Sequence, residues 1–168
     1  TEISTLSLHD ALPISLAHQR FATKSWADLI APAVDLAAGG LPLNWFTTLR
    51  ISGAAQELRE FPTSSDVYLS DGLPPVATQG KPPPRRSMGN LSATLRRLAE
   101  AGPRDFYVGA IAEQLLGDAS AGGSKMDAND LASFEAVERD PIEMDYRGAT
   151  VFAAPGLTAG PTMFDTLA

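Results

Sequence analysis

Apolar residues recur at helical spacing along most of the chain and change to alternation only near its end. The densest helical pattern lies between residues 91 and 116. Leu91, Leu95, Leu98 and Ala99 fall at i, i+4, i+7 and i+8 and make one stripe, which leaves Arg96, Arg97 and Glu100 facing water. Asn90 stands where a cap belongs. The helix should close at Ala101, because Gly102 can take the left-handed conformation and Pro103 cannot continue the helix. Pro103 suits the first turn of a following helix, which runs to near Gly117. There Phe106, Tyr107, Ala110 and Ile111 share an inward stripe. Gly109 inside that stripe costs about 1 kcal/mol relative to alanine, so it is read as a place where another backbone comes close. Core packing is the reading favoured for the Phe106–Tyr107 pair, with ligand stacking as the alternative.

The same reasoning places the other elements. Ser25, paired with Asp28, caps a helix whose buried face is Trp26, Leu29, Ile30 and Ala33. Pro32 kinks that helix or starts a second one, and Gly39-Gly40 ends it. Asn44 caps a helix over 45–58 with Trp45, Leu49 and Leu58 on one side, Gly53 weakening its middle and Pro62 marking the exit. Residues 61–87 carry Pro74-Pro75, Gly80 and Pro82-Pro83-Pro84 and are read as an irregular surface loop, with polyproline recognition as the alternative. A Ser/Gly linker over 119–125 leads to a short helix over 128–134. Asp127 and Asp130 cap it, and Leu131 and Phe134 are its buried residues. Residues 136–139 and 150–153 then read as two strands that turn through 145–148, pair antiparallel and join a larger sheet. The predicted class is α+β, mostly helical, with a C-terminal β-hairpin.

Composition narrows the function classes. The chain has 168 residues, enough for one domain or part of a larger one. Thirteen Lys and Arg against 20 Asp and Glu give a net charge of -7, which argues against nucleic acid and anionic membrane as partners. Lys81, Arg85 and Arg86 are the nearest approach to a basic patch, and they read as a solvated loop. There are no cysteines, so disulfides, thiolate chemistry and cysteine-ligated zinc are excluded. No apolar run has the length of a membrane span, and no signal-peptide pattern opens the chain.

Candidate chemistry is sparse. His18 is read as a packed or solvated helix histidine, since no carboxylate stands at i+4 to build a metal site with it. Asp140, Glu143 and Asp145 cluster near a turn. They read as solvated charges rather than an acid–base pair or a calcium loop. Over 155–161, Pro-Gly-Leu-Thr-Ala-Gly-Pro has glycines that could expose N–H groups to an oxyanion. It has neither a phosphate-loop lysine nor a nucleophile-elbow serine, so a strand-to-helix turn with Thr162 near the helix start is the favoured reading. No residue is assigned a catalytic, substrate-binding or metal role, and no cofactor is implied.

Several stretches carry a family resemblance. Gly102-Pro103-Arg104-Asp105-Phe106-Tyr107-Val108-Gly109 with Ile111-Ala112 resembles the G-P-x-x-F-Y-x-G-x-I-A motif of the gamma-glutamyltranspeptidase family. Trp26-Ala27-Asp28-Leu29 with Pro32-Ala33-Val34-Asp35-Leu36-Ala37 is similar to that family's W-x-x-L-x-x-P-A-I-x-L-A segment. Leu91-Ser92-Ala93-Thr94-Leu95 resembles its L-A-x-T-L helix. Asp130-Leu131-Ala132-Ser133-Phe134, Arg139-Asp140-Pro141 and Tyr146-Arg147-Gly148 follow its D-L-x-x-Y, R-x-P and Y-R-G run. Ala154-Pro155-Gly156-Leu157-Thr158-Ala159-Gly160 is a variant of its P-P-P-S-S-G-G turn. The order is preserved from about His18 to the end.

The resemblance implies a partial large subunit of an N-terminal-nucleophile hydrolase with an αββα sandwich, occupying 16–168. In that family a self-cleaved precursor exposes an N-terminal Thr on the small subunit. This Thr attacks gamma-glutamyl amides with its own amine as base. Thr158, Thr162 and Thr166 do not match the nucleophile's context, so the nucleophile is expected outside this chain, along with the substrate-gripping Arg. The chain alone is then expected to be inactive, and the implied partners are a gamma-glutamyl substrate and the small subunit. The alternatives are a non-catalytic scaffold or binding module, and a cephalosporin-acylase-like amidase. Family analogy points to a periplasmic or secreted location, and the cytoplasm is compatible with the composition. Residues 1–15, which include His9, resemble no part of the family. They read as a translated adapter remnant, expected to be disordered or loosely packed.

Overall fold

Helix-forming sequence builds nine helices and two small sheets among the described residues of the computed structural model, which are 11–76 and 80–168. In order they are α1 (Ala11–Phe21), α2 (Trp26–Gly39), β1 (Leu41–Pro42), α3 (Trp45–Glu60), α4 (Pro62–Tyr68), β2 (Arg85–Arg86), α5 (Leu91–Ala101), α6 (Asp105–Val108), α7 (Ala110–Ala121), α8 (Ala128–Ala132), β3 (Ile142–Tyr146), β4 (Ala149–Ala153) and α9 (Ala159–Leu167). The chain divides into one compact unit ending at Glu135 and a second, Ala136–Ala168.

The first unit holds two apolar clusters. In the larger, α2 packs on α5, and α6 and α7 close the other side, burying Leu98, Phe106, Tyr107 and Ile111. Phe106 and Tyr107 are its most enclosed large side chains. Tyr107 stacks flat on half-buried Phe134, with centroids 5.4 Å apart. Its hydroxyl oxygen accepts from the Leu12 N–H at 3.4 Å. The Trp26 indole N–H donates to the Leu98 carbonyl at 2.9 Å, pinning α2 to the end of α5. Core packing is thus the outcome for the Phe–Tyr pair. The smaller cluster joins α3 and α4 through Leu43, Ile51, Ala55 and Leu69. The caps at Ser25, Asn44 and Asp127 form as the sequence implies, the last as a full capping box with Asp130. Asn90 serves α5 through its carbonyl, which accepts from the Ala93 and Thr94 N–H groups.

Several expectations are corrected. The helix drawn from Pro103 to Gly117 is two helices, because Gly109 is extended (φ -116, ψ -159) and breaks it. The break resets the phase, so Ala112 rather than Ala110 joins Ile111 in the core. α7 continues to Ala121 through residues expected to form a linker. Pro62 starts α4 rather than ending the fold's regular part, because its missing N–H costs nothing at a first turn. Residues 61–87 are therefore not wholly irregular, and Arg85–Arg86 pair with Leu41–Pro42. On α3 the core takes Ile51 and Ala55, while Trp45 and Leu49 are exposed. On α2, Leu29 and Ala33 are exposed, and Trp26 and Ile30 carry the packing. Of the N-terminal lead read as loosely packed, residues 11–15 belong to α1, where Ser15 is buried; residues 1–10 lie outside the described residues.

In the second unit the first strand is Ile142–Tyr146, not 136–139. Ile142, Met144 and Tyr146 are half-buried and alternate with exposed Glu143 and Asp145, the true period-two pattern. Val137, in the stretch first read as a strand, is exposed and irregular. β3 and β4 pair antiparallel in register Met144↔Val151. The turn is the two residues Arg147 and Gly148, both at positive φ (52 and 81), as a tight hairpin matching the strand twist requires. Among the described residues both sheets are two-stranded.

Replacing Phe106 with Ala should cost about 3–5 kcal/mol of unfolding free energy, read from the urea midpoint. A cost below about 1 kcal/mol would show that the α5–α6–α7 cluster does not carry the first unit.

Candidate functional site

The segment 102–109 carries a cluster of polar contacts in which Gly102, Arg104, Asp105 and Gly109 have definable tasks. The Gly102 N–H donates to the Leu98 carbonyl and closes α5. Arg104 donates to the Ala132 carbonyl at 2.9 Å and the Phe134 carbonyl at 3.4 Å, gripping the end of α8. Asp105 lies where three elements converge. Arg97 of α5 reaches it bidentately, Nε to Oδ2 and Nη2 to Oδ1, both at 2.7 Å. Its Oδ2 also accepts from the Ile111 N–H at 3.2 Å, at the positive end of α7. The Asp105 side chain is 8 % exposed and Arg97 is half exposed. The hydrogen bonds from Arg97 hold the Asp105 carboxyl below the usual carboxylate range. Burial opposes this, and the Ile111 N–H adds to it.

Gly109 makes this convergence possible. A Cβ built there would fall on the Asp105 carboxylate. The expected close approach is therefore real, but the approaching group is a side chain four residues back rather than a distant backbone. The sequence reading missed the Arg97–Asp105 pair, because the two residues lie eight apart across a helix break. The available signal was an acid shortly before a glycine and a new helix start.

Two depressions adjoin this region. One, of about 300 Å³, lies between α5 and α7 and is lined by Asn90, Thr94, Arg97, Ile111 and Gln114. The other, of about 230 Å³, is almost wholly apolar and lies between α1, α2 and α5, bounded by Ile14, Trp26, Leu29, Ile30, Leu95 and Phe106. Neither brings together a nucleophile, a base and an oxyanion donor.

The residues singled out in the sequence are placed as follows. His18 packs edge-on against Trp26 at 5.5 Å, and its Nε2 lies 3.0 Å from the Lys24 carbonyl. Arg85 donates to the Gly40 carbonyl, and Arg86 to the Val67 carbonyl and Ser70 hydroxyl. These two arginines are straps between segments, which corrects their reading as a solvated loop. Glu143 and Asp145 are exposed on β3, and Asp145 accepts from the Thr150 hydroxyl at 3.0 Å. Among the described residues no group of three or more His, Asp or Glu is placed to hold a metal. The 155–161 segment is a strand-to-helix turn. Its helix begins earlier than expected, with Thr158 as cap donating to the Ala154 carbonyl at 2.6 Å and accepting from the Gly160 N–H. The Thr166 hydroxyl donates to the Thr162 carbonyl. No described helix is long and apolar enough to cross a membrane.

The family model for gamma-glutamyltranspeptidase matches residues 14–168, and the chain belongs to that family. It is 32% identical over 148 residues to the glutathione hydrolase proenzyme of Escherichia coli, covering 87% of this chain and 24% of that protein. It is 29% identical over 136 residues to the acylase ACY 1 proenzyme of Pseudomonas sp. SE83, covering 81% of this chain and 24% of that protein. The fold is similar to that of Helicobacter pylori gamma-glutamyltranspeptidase, with a TM-score of 0.78 at 23% identity over 88% of this chain and 41% of that one. The chain thus spans about a quarter of the length of the curated relatives it matches.

Gly109→Ala should destabilise by about 1–3 kcal/mol through the collision with Asp105, and Asp105→Asn by about 1–3 kcal/mol through loss of the charged hydrogen bonds. The two substitutions should be strongly non-additive in a double-mutant cycle; simple addition would show that the sites are independent. The pH dependence has a definite sign. A carboxyl whose folded pKa is depressed contributes stability that is fully present above its unfolded pKa, about 4. That contribution disappears as pH falls through the lower folded value. The stability gap between the native protein and Asp105→Asn should therefore be constant at neutral pH and shrink below about pH 4. A gap unchanged in acid would remove Asp105 from this role.

Proposed function

We propose that this chain is scaffold from the large subunit of a glutathione hydrolase or gamma-glutamyltransferase precursor, and that the catalytic Thr lies outside it. The observation that carries this reading is what the family's most distinctive segment does here. In 102–109 the polar side chains bond helix ends and one another, and the aromatics are buried. The segment holds a framework and leaves the reaction to other parts of the protein. The hydroxyls of Thr158 and Thr166 are likewise engaged in local hydrogen bonds.

On this reading the β3–β4 ribbon is part of an αββα sandwich completed by the remaining polypeptide. Self-cleavage frees the N-terminal Thr of the small subunit. Its hydroxyl attacks the gamma-glutamyl amide carbonyl while its own amine takes the proton. The leaving amine departs protonated, and the acyl-enzyme passes to water or to an acceptor amine. Supporting this are the proenzyme relatives and the family match. The similarity to an acylase proenzyme favours one second reading, the same machinery acting on another amide.

The test compares purified residues 1–168 with the full-length precursor that carries them, using a gamma-glutamyl anilide and a cephalosporin amide. The chain alone should release no product, and the precursor should act on the anilide only after self-cleavage. Hydrolysis by residues 1–168 alone would overturn the scaffold reading. Turnover of the cephalosporin amide alone would favour the acylase.

A further inference from the structure

Helix α3 is apolar on two opposite sides. Ile51 and Ala55 point into the small core, yet on the other side Trp45 is 77 % exposed, Phe46 55 % and Leu49 59 %. Trp45, Phe46, Leu49 and Gly53 lie within about 100° of helical arc. Gly53 adds a second sign, which among helix-interior glycines Gly117 of α7 shares but without exposed aromatics beside it. It lowers helix propensity, and among the described residues nothing beyond its own helix backbone and chain neighbours comes within 4 Å of where its Cβ would stand. Its absent side chain therefore serves no contact inside this unit. It leaves a notch beside a ridge of aromatic side chains, the form that lets another element come close.

We propose that this face of α3 is the seat of an apolar element from the part of the full-length polypeptide outside this chain, with a bulky side chain entering over Gly53. Two facts favour that occupant over a second copy. This chain spans only 24% of its E. coli relative, so most of a protein of that length remains to be packed. Three large side chains over two helical turns also fall short of the roughly 20–30 residues a side of a free-standing interface. A segment linked in the same precursor needs less area, because linkage supplies effective concentration. The seat has a direction as well. Gln56, Glu57 and Glu60 continue the exposed side toward the helix C-terminus. Arg59 of the same turn reaches to the Gly72 carbonyl, and the acids, which outnumber it, meet the negative end of the helix dipole, which a cationic side chain on the occupant would relieve. The occupant is thus an apolar element with a basic residue at the end nearer Glu60.

Hydroxyl-radical footprinting, read residue by residue by mass spectrometry, tests this in the full-length precursor and in residues 1–168. Trp45 and Phe46 should be oxidised severalfold less in the precursor. Equal reactivity in the two would overturn the proposal. So would protection in residues 1–168 that rises with protein concentration, since a second copy would then fill the seat. Gly53→Leu gives a second readout in the precursor. It should lower the melting temperature and restore Trp45 oxidation, whereas a precursor that melts unchanged with Trp45 still protected would refute the notch. Neither measurement depends on which amide the enzyme cleaves.

Discussion

One carboxylate ties α5, α6 and α7 together. α6 and α7 would be a single rod if the backbone continued through Gly109, and Phe106 and Ile111 would then lie in a different phase. The rod is broken, and the orphan N–H groups at the head of α7 need an acceptor. Asp105 supplies it through the bond from Ile111 and is itself held by the Arg97 fork from α5. A buried carboxylate without such partners would be expensive. With them it fixes the angle between α5, α6 and α7, and that angle decides which apolar side chains meet Leu98. Hydrophobic burial supplies the driving force here, and the polar cluster selects the arrangement.

The elements of the first unit were legible wherever local signals agreed. α5 was readable because its stripe, its cap position and the Gly-Pro stop all point the same way. The caps at Ser25 and Asp127 were readable because a side chain and a backbone N–H three residues on settle the matter locally. Failures came where a distant partner decides. Trp45 and Leu49 have the spacing of a core stripe, but Leu43 and Leu69 arrive from the other side of α3 and bury Ile51 and Ala55 instead. Residues 136–139 have strand composition, yet the ribbon forms where apolar and acidic residues alternate and where Arg147-Gly148 can adopt positive φ. The arginines at 85 and 86 looked solvated because their acceptors, the carbonyls of Gly40 and Val67, lie far away in sequence.

The family motif shows what a resemblance does and does not carry. Its letters mark a convergence of three helices, and Arg104, Asp105, Phe106, Tyr107 and Ile111 all have structural partners there. Such a motif can be recognised without revealing chemistry, because the geometry it preserves serves whatever active site is mounted on it. That agrees with relatives bearing both hydrolase and acylase names.

Glycine makes the same point in two opposite ways. Gly109 is small because Asp105 occupies the space a side chain would need, and the chain contains its own explanation. Gly53 is small with nothing near it among the described residues beyond its own helix, and those residues contain no explanation. The second unit repeats this pattern at larger scale. A two-stranded ribbon is marginal by itself in water, and α9 packs against β3, but Phe152 and Leu157 stay exposed. Exposed bulk beside uncompensated smallness is what the seat proposed on α3 rests on, and Phe152 of β4 and Leu157 of the following turn show the bulk alone. Such surface positions carry information that the buried core does not.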